Sequence, residues 1–294
     1  MSVTRLPILG GLLLLLTGWV GTAAEVPSSR AGDTTLAQST APSTASSVHL
    51  LLGNPSNATT DVANAENYLM LKTDYALSYS RSKGIPNWVA WQLNQSWQGD
   101  APRQNNFRSD TTLPTSWYRV TTTNYTYSGF DRGHMAPSED HTATIESNSA
   151  TFLMTNILPQ SPDNNRGPWA ALEEYCRTLA RQGKELYIVS GGSGTGGTGE
   201  VGTATTLSSG RITVPANTWK VVVVLAQPGA GIESIDSNTR VIAVNMPNTQ
   251  GIRTTDWRTY RTSVDKIEAT TGYNFLSNVS EALQETLEAK VDTQ

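Results

Sequence analysis

The stretch SGFDRGHMAPSED, residues 128–140, gathers an Asp, an Arg, a His and two further acids into thirteen positions of a mostly polar chain. It carries His134, one of only three histidines in 294 residues. A lone histidine at the end of a polar strand is ordinarily a surface residue. The sequence thirty to forty residues further on argues otherwise.

There SPDNNRGPWAALEEYCRTLAR (161–181) places Asn165 at the expected start of a helix. Glu173 stands eight residues on and Arg177 four beyond that. Offsets of four and eight keep side chains on one side of a helix, so an amide oxygen, a carboxylate and a guanidinium would project toward one spot. Pro168 suits a first helical turn, Gly183 a stop, and Trp169, Leu172, Tyr175, Cys176 and Leu179 an apolar face. An Asn oxygen can give a hard divalent cation one ligand while water and phosphate complete the shell. A carboxylate can fix the waters of that shell. Neutral His is the usual base for attacking water near neutral pH, and Arg132 and Arg177 suit phosphate oxygens. The set reads as metal-assisted phosphodiester hydrolysis.

SGFDRGHMAPSED resembles the DRGH signature of the DNA/RNA non-specific endonucleases of ββα-metal fold. TNILPQ (155–160) and NNRGPWAALEEYCR (164–177) resemble the rest of that family's site. YLMLKTDYALSYSRSKGIPNWVAWQLN (68–94) and APRQNNFRSD (101–110) are similar to the upstream region of its secreted members, in particular the sugar-non-specific nucleases of cyanobacteria. The resemblance implies an α+β fold with a mixed or antiparallel sheet flanked by helices. It implies His134 as general base, Asn165 as direct ligand of Mg²⁺ (Mn²⁺ substituting) and Glu173 as a holder of that ion through water. Arg132, Arg177 and Arg103 would bind phosphate, while Asp131 and Asn156 would support the site. Double- and single-stranded DNA and RNA would be cut to 5′-phosphate and 3′-hydroxyl ends, with low specificity because phosphate contacts carry no sequence information. A protein inhibitor is a further partner the resemblance allows. Two alternatives stay open: a nuclease of the same fold restricted to DNA entry or to RNA, and a silent nucleic-acid-binding protein. His141 departs from the family, which carries Arg after the acids.

The totals bound the rest. A net charge of −4 argues mildly against a purely electrostatic nucleic-acid binder without excluding a local basic cleft. MSVTR, LPILGGLLLLLTGWVG and TAA read as an export signal over residues 1–24, so the mature protein is expected to be secreted or periplasmic. Residues 25–48 are rich in Ser, Thr, Ala and Pro and read as a flexible leader, and 49–294 as one nuclease domain. Cys176 is the only cysteine, which excludes an intrachain disulfide, and its place on the apolar helix face predicts a buried thiol.

Other motifs carry less. Gly192, Gly194 and Gly197 fit G-x-G-x-x-G, but no helix follows and a Gly/Thr loop is expected. His134 and His141 lack the helical H-x-x-x-H or cysteine pair of a zinc site. Residues 75–80 and 87–94 predict a hairpin, and 116–127, 185–192, 212–227 and 240–247 further strands; 263–272 and 279–291 predict short helices.

Overall fold

A computed structural model describes residues 47–294. The expected signal and nearly all of the expected leader lie outside the described residues. Val48–Leu50 opens the fold as one turn of 3-10 helix.

The frame is a seven-stranded sheet built by alternation. Its strands are β1 (Tyr68–Leu71), β2 (Ala76–Ser80), β3 (Ile85–Leu93), β6 (Glu185–Ser193), β11 (Asn217–Leu225), β12 (Arg240–Pro247) and β13 (Arg261–Thr262), in the order β1-β2-β3-β6-β11-β12-β13. Every neighbouring pair is antiparallel. Successive strand side chains point to opposite faces. Thus Trp88 and Ala90 enter one core while Val89 and Trp91 enter the other. Val221 and Val223 likewise oppose Val222, which is why TWKVVVVL reads as a continuous apolar run: the strand is covered on both faces.

One face packs against helices α4 (Val264–Thr271) and α5 (Glu281–Glu288), through Val264, Ile267, Phe275, Leu276 and Leu287. The other carries α1 (Ile145–Ala150), the ribbon of β4 (Asp131–His134) with β5 (Ile157–Gln160), and helix α3 (Ala170–Arg181). A single turn, α2 (Pro162–Asn164), leads into α3. Small ribbons of β7 (Gly197–Gly199) with β8 (Gly202–Ala204), and β9 (Thr206–Leu207) with β10 (Ile212–Thr213), fill the β6–β11 connection. Strand, turn and ribbon around Gly192, Gly194 and Gly197, with no helix after them, leave no dinucleotide site. The architecture is α+β with an antiparallel sheet flanked by helices. Among the described residues no helix is long and apolar enough to cross a membrane.

Three expectations need correction. Residues 212–227 are not one strand: Ile212–Thr213 pairs with β9, and β11 begins at Asn217 after the break at Pro215. Residues 116–127 form no strand; Thr122–Tyr125 is a 3-10 turn, with Thr121 and Asn124 capping each other. Trp117, Val120 and Tyr125 are buried one by one against the sheet, so tertiary packing overrides the strand propensity of the Thr and Tyr residues. The helix expected from Pro168 begins only at Ala170. Residues 165–169 make an irregular turn in which Gly167 is non-helical (φ −116°, ψ −113°).

Candidate active site

β4 and β5 pair antiparallel, and one glycine lets them close. Asp131 pairs with Gln160, Gly133 with Leu158 and His134 with Ile157. A Cβ built at Gly133 would fall 2.6 Å from the Cβ of Gln160, so the position between Arg132 and His134 admits only glycine. Arg132 and His134, two apart, share a face. Both meet Phe107: the Arg132 guanidinium lies 4.4 Å from its ring centroid and the His134 ring 5.2 Å. Phe152 stacks edge-on to His134 at 4.9 Å and carries Arg103 over its ring at 5.0 Å. His134, Arg132 and Arg103 therefore form one cluster around two phenyl rings.

His134 is buried, and its Nε2 is without a hydrogen-bond partner. Burial, with the charges of Arg103 and Arg132 added, lowers its pKa to about 3. The ring is neutral, with a lone pair available. Asn156 holds the chain beyond it: its Oδ1 accepts from the Ala136 amide at 2.9 Å, and its Nδ2 donates to the carbonyls of Ala136 and Thr151. His141 is set apart, since its Nδ1 and Nε2 lie 3.0 and 2.9 Å from the carbonyl oxygens of Pro137 and Asp74. With both nitrogens so engaged, it offers no second ligand for a zinc pair.

Asp131 turns the other way and accepts the Asn165 Nδ2 at 2.8 Å. Arg166 clamps the same carboxylate from Nε at 2.9 Å and Nη2 at 2.6 Å. The bond fixes the Asn165 amide: nitrogen toward Asp131, and Oδ1 free of protein donors. A strand advances about 3.4 Å per residue, which sets the Asp131 Cα roughly 10 Å from that of His134 along β4. Asn165 does not reach the site as part of the helix that carries Glu173, because the break at Gly167 separates them. The eightfold offset is not a helical relation here. The turn places Asn165, and Asp131 aims it.

Glu173 and Arg177 are four apart on α3, one step round from its buried face of Leu172, Cys176 and Ala180. Glu173 accepts Lys220 Nζ at 3.4 Å. Lys220 projects from β11, is 1% exposed, and lies 4.1 Å from the Trp169 ring and 5.5 Å from that of Trp91. Burial pushes the Glu173 carboxyl up and the Lys220 ammonium opposes it, while the Asp140 charge adds to the rise. Arg177 is tied at 3.0 Å both to Asp140 and to Glu174. Asp140 also accepts the Trp91 indole N–H at 3.0 Å. Arg177 is thus a fixed charge beside Glu173. Cys176 is buried, its thiol pushed up to about 12, and serves only as core.

Sequence reasoning missed Lys220, Arg166, Asp140, Phe107 and Phe152. Lys220 had a signal, as the single cation inside an apolar strand. The others had none that spacing could reveal.

The donor set fits a hard divalent cation: an amide oxygen held outward at Asn165, and a Glu173 carboxylate with one oxygen free of Lys220. Residues 53–282 match the profile of the family described as DNA/RNA non-specific endonuclease. The chain is 59% identical over 246 residues to a nuclease of Nostoc sp., covering 84% of this chain and 86% of that one. Human mitochondrial endonuclease G is 29% identical over 218 residues, 72% of this chain and 70% of its own. The fold resembles a solved EndoG/EndoGI complex with a TM-score of 0.65 at 23% identity, over 79% of this chain and 91% of that one. The match over residues 53–282 spans the Asp131–His134 ribbon, the Asn165 turn and the Glu173 helix alike, and the chain belongs to the DNA/RNA non-specific endonuclease family.

Proposed function

We propose that this protein is a secreted or periplasmic endonuclease that uses Mg²⁺, or Mn²⁺ in its place, to hydrolyse DNA and RNA. The orientation of Asn165 carries the reading. A carboxamide whose nitrogen is spent on a buttressed carboxylate presents its oxygen as a ligand and nothing else. Asn165 would hold the metal directly and Glu173 through water. Bound there, the metal supplies Lewis-acid stabilisation of the charge that develops on the phosphoryl group.

The protein's own residues do the rest. Arg103 and Arg132 draw the scissile phosphate to His134. Burial is the main cause of the low His134 pKa; the phosphate's negative charge offsets the part added by the two guanidiniums, and the imidazole becomes a stronger base as substrate arrives. His134 takes the proton of the attacking water, Phe107 and Phe152 holding the ring in place. The P–O3′ bond breaks, the departing 3′ oxygen takes a proton from a water molecule, and the products are a 5′-phosphate and a 3′-hydroxyl. Arg177, anchored by Asp140 and Glu174, keeps a positive charge next to Glu173. The contacts address phosphate, so both sugars and all sequences should serve. Export directed by a cleaved signal over residues 1–24 and a guarding protein inhibitor belong to the same reading; the fold neighbour was solved with such a partner.

The test is cleavage of plasmid, single-stranded DNA and RNA with Mg²⁺, with and without EDTA, followed by analysis of the ends. All three substrates should be cut, EDTA should stop cleavage, and the new 5′ ends should carry phosphate. Cleavage unaffected by EDTA would overturn the metal assignment, and cleavage of one polymer alone would replace this reading with that of a restricted nuclease.

A further inference from the structure

A groove of about 530 Å³ lies alongside α3, between the turn at Gly167 and residues 253–258. One wall is the Ala171, Glu174, Tyr175 and Thr178 side of the helix, turned away from the side that bears Glu173 and Arg177. The other wall is a loop pinned to the Asn165 segment at three points. Asn248 donates to the carbonyls of Pro159 and Pro215 and accepts the Ser161 amide at 2.6 Å. The Gly251 amide donates to Asp163 at 2.7 Å. Arg253 presses its backbone onto Gly167, where an added Cβ would meet the Arg253 carbonyl at 2.5 Å. The loop thus follows the chain from β5 past Asn165, and the groove begins at Gly167, two residues beyond the proposed metal ligand.

Its lining charges balance, Glu174 and Asp256 against Arg253 and Arg258, but both acids are paired. Glu174 is answered by Arg177 and Arg181, and Asp256 by Arg258 at 3.4 Å. Arg253 is exposed and has no acidic partner among the described residues. Arg258 covers the rings of Trp257 and Tyr175 at 4.4 and 5.2 Å, which presents a guanidinium and withholds the aromatic faces from base stacking. A groove with one free and one stacked arginine and no free aromatic face suits a phosphate backbone. From Ala171 to Thr178 the helix advances roughly 10 Å, about three nucleotide steps of a strand.

We propose that this groove is a track for the substrate strand beyond the scissile phosphate, with Arg253 its principal phosphate contact. The inference rests on the nuclease reading and adds to it a dependence on substrate length. Kinetics are compared on a nucleoside 5′-(p-nitrophenyl phosphate), which ends at the reacting centre, and on a single-stranded DNA of roughly 20 nucleotides, at several salt concentrations. R253A should raise KM on the long strand about tenfold, leave the small ester unchanged, and flatten the salt dependence by about 0.7 in log–log slope, as for one lost contact to a single strand. R253E should exceed R253A, and T254R should lower KM on the long strand. Equal effects on both substrates, or none, would overturn the track. Anisotropy of the labelled strand in EDTA reads the same contact without turnover. Should no substrate be cut, the nuclease reading fails alone, while equal affinity of R253A and the parent protein would sink the track by itself.

Discussion

The two faces of the central sheet use the same strands for different ends. The face under α4 and α5 is closed by apolar side chains such as Phe275, Leu276, Val221 and Val223. The face under α3 buries a Lys220–Glu173 pair, an Asp140–Arg177 pair and a neutral histidine within its hydrophobic packing. Among the described residues, buried polar atoms without a partner lie there at His134 Nε2, Gln160, Ser161, Asn164 Oδ1 and Trp169 Nε1, against Trp219 Nε1 on the other face. An unpaired buried polar group costs about 1–3 kcal/mol, so this face gives up stability that the other supplies. The difference separates a face built to hold the fold from one built to hold charge for chemistry.

Substitutions on the two faces should therefore fail in different ways. The largest effect is expected at Lys220. Removing one partner of a buried pair costs about 3–5 kcal/mol, so Lys220→Met should fall by that much in denaturant unfolding. It should also carry a second signature. With the ammonium gone, burial and the Asp140 charge are opposed only by Arg177, so the Glu173 carboxyl rises further; if catalysis needs that carboxylate, the acid limb of the activity profile moves to higher pH. A destabilised variant with an unmoved pH profile would break the link between Lys220 and the site.

Phe275→Ala, on the other face, should cost about 3–4 kcal/mol through its cavity. Measured below its melting range, its kcat should stay within about twofold of the parent, since it touches no charged group of the site. A large loss of kcat in the folded variant would mean that the two faces are coupled.

The smallest effect is expected at Glu288, at the end of α5. Burial raises its pKa to about 7, the Glu268 charge adding to the rise, and its Oε1 accepts the Leu276 amide at 3.3 Å. A raised carboxyl gives stability that is whole below the unfolded value near 4.5 and lost as pH climbs through 7. Glu288→Gln keeps the accepting oxygen without the charge. It should gain about 1 kcal/mol at pH 8 and little at pH 4. Thermal melts at the two pH values decide it, and a gain at pH 4 alone would reverse the sign.

Legibility followed the range of the interactions. The strands of the sheet could be read because burial on alternate faces leaves a period of two, and α3 because Leu172, Cys176 and Leu179 recur at helical spacing. Residue types in the DRGH stretch and at Asn165 pointed to the chemistry through family resemblance. What aims them did not show in the spacing. The Asp131–Asn165 bond spans 34 positions and Lys220–Glu173 spans 47, and no local pattern encodes a contact of that length. The helical offset suggested for Asn165 failed because Gly167 and Pro168 break the chain into a turn and a helix. Residues 116–127 misled for a related reason, since strand-forming residues there are spent singly as plugs in the core.

The claim at the centre is that the neutral, caged imidazole of His134 is the base. Single-turnover cleavage of a DNA strand by His134→Ala at saturating Mg²⁺, with folding checked by near-UV circular dichroism, tests it most directly. The account predicts a loss of about 10²–10⁴-fold in the cleavage rate with native packing retained. A folded His134→Ala protein that cleaves at the parent rate would contradict it.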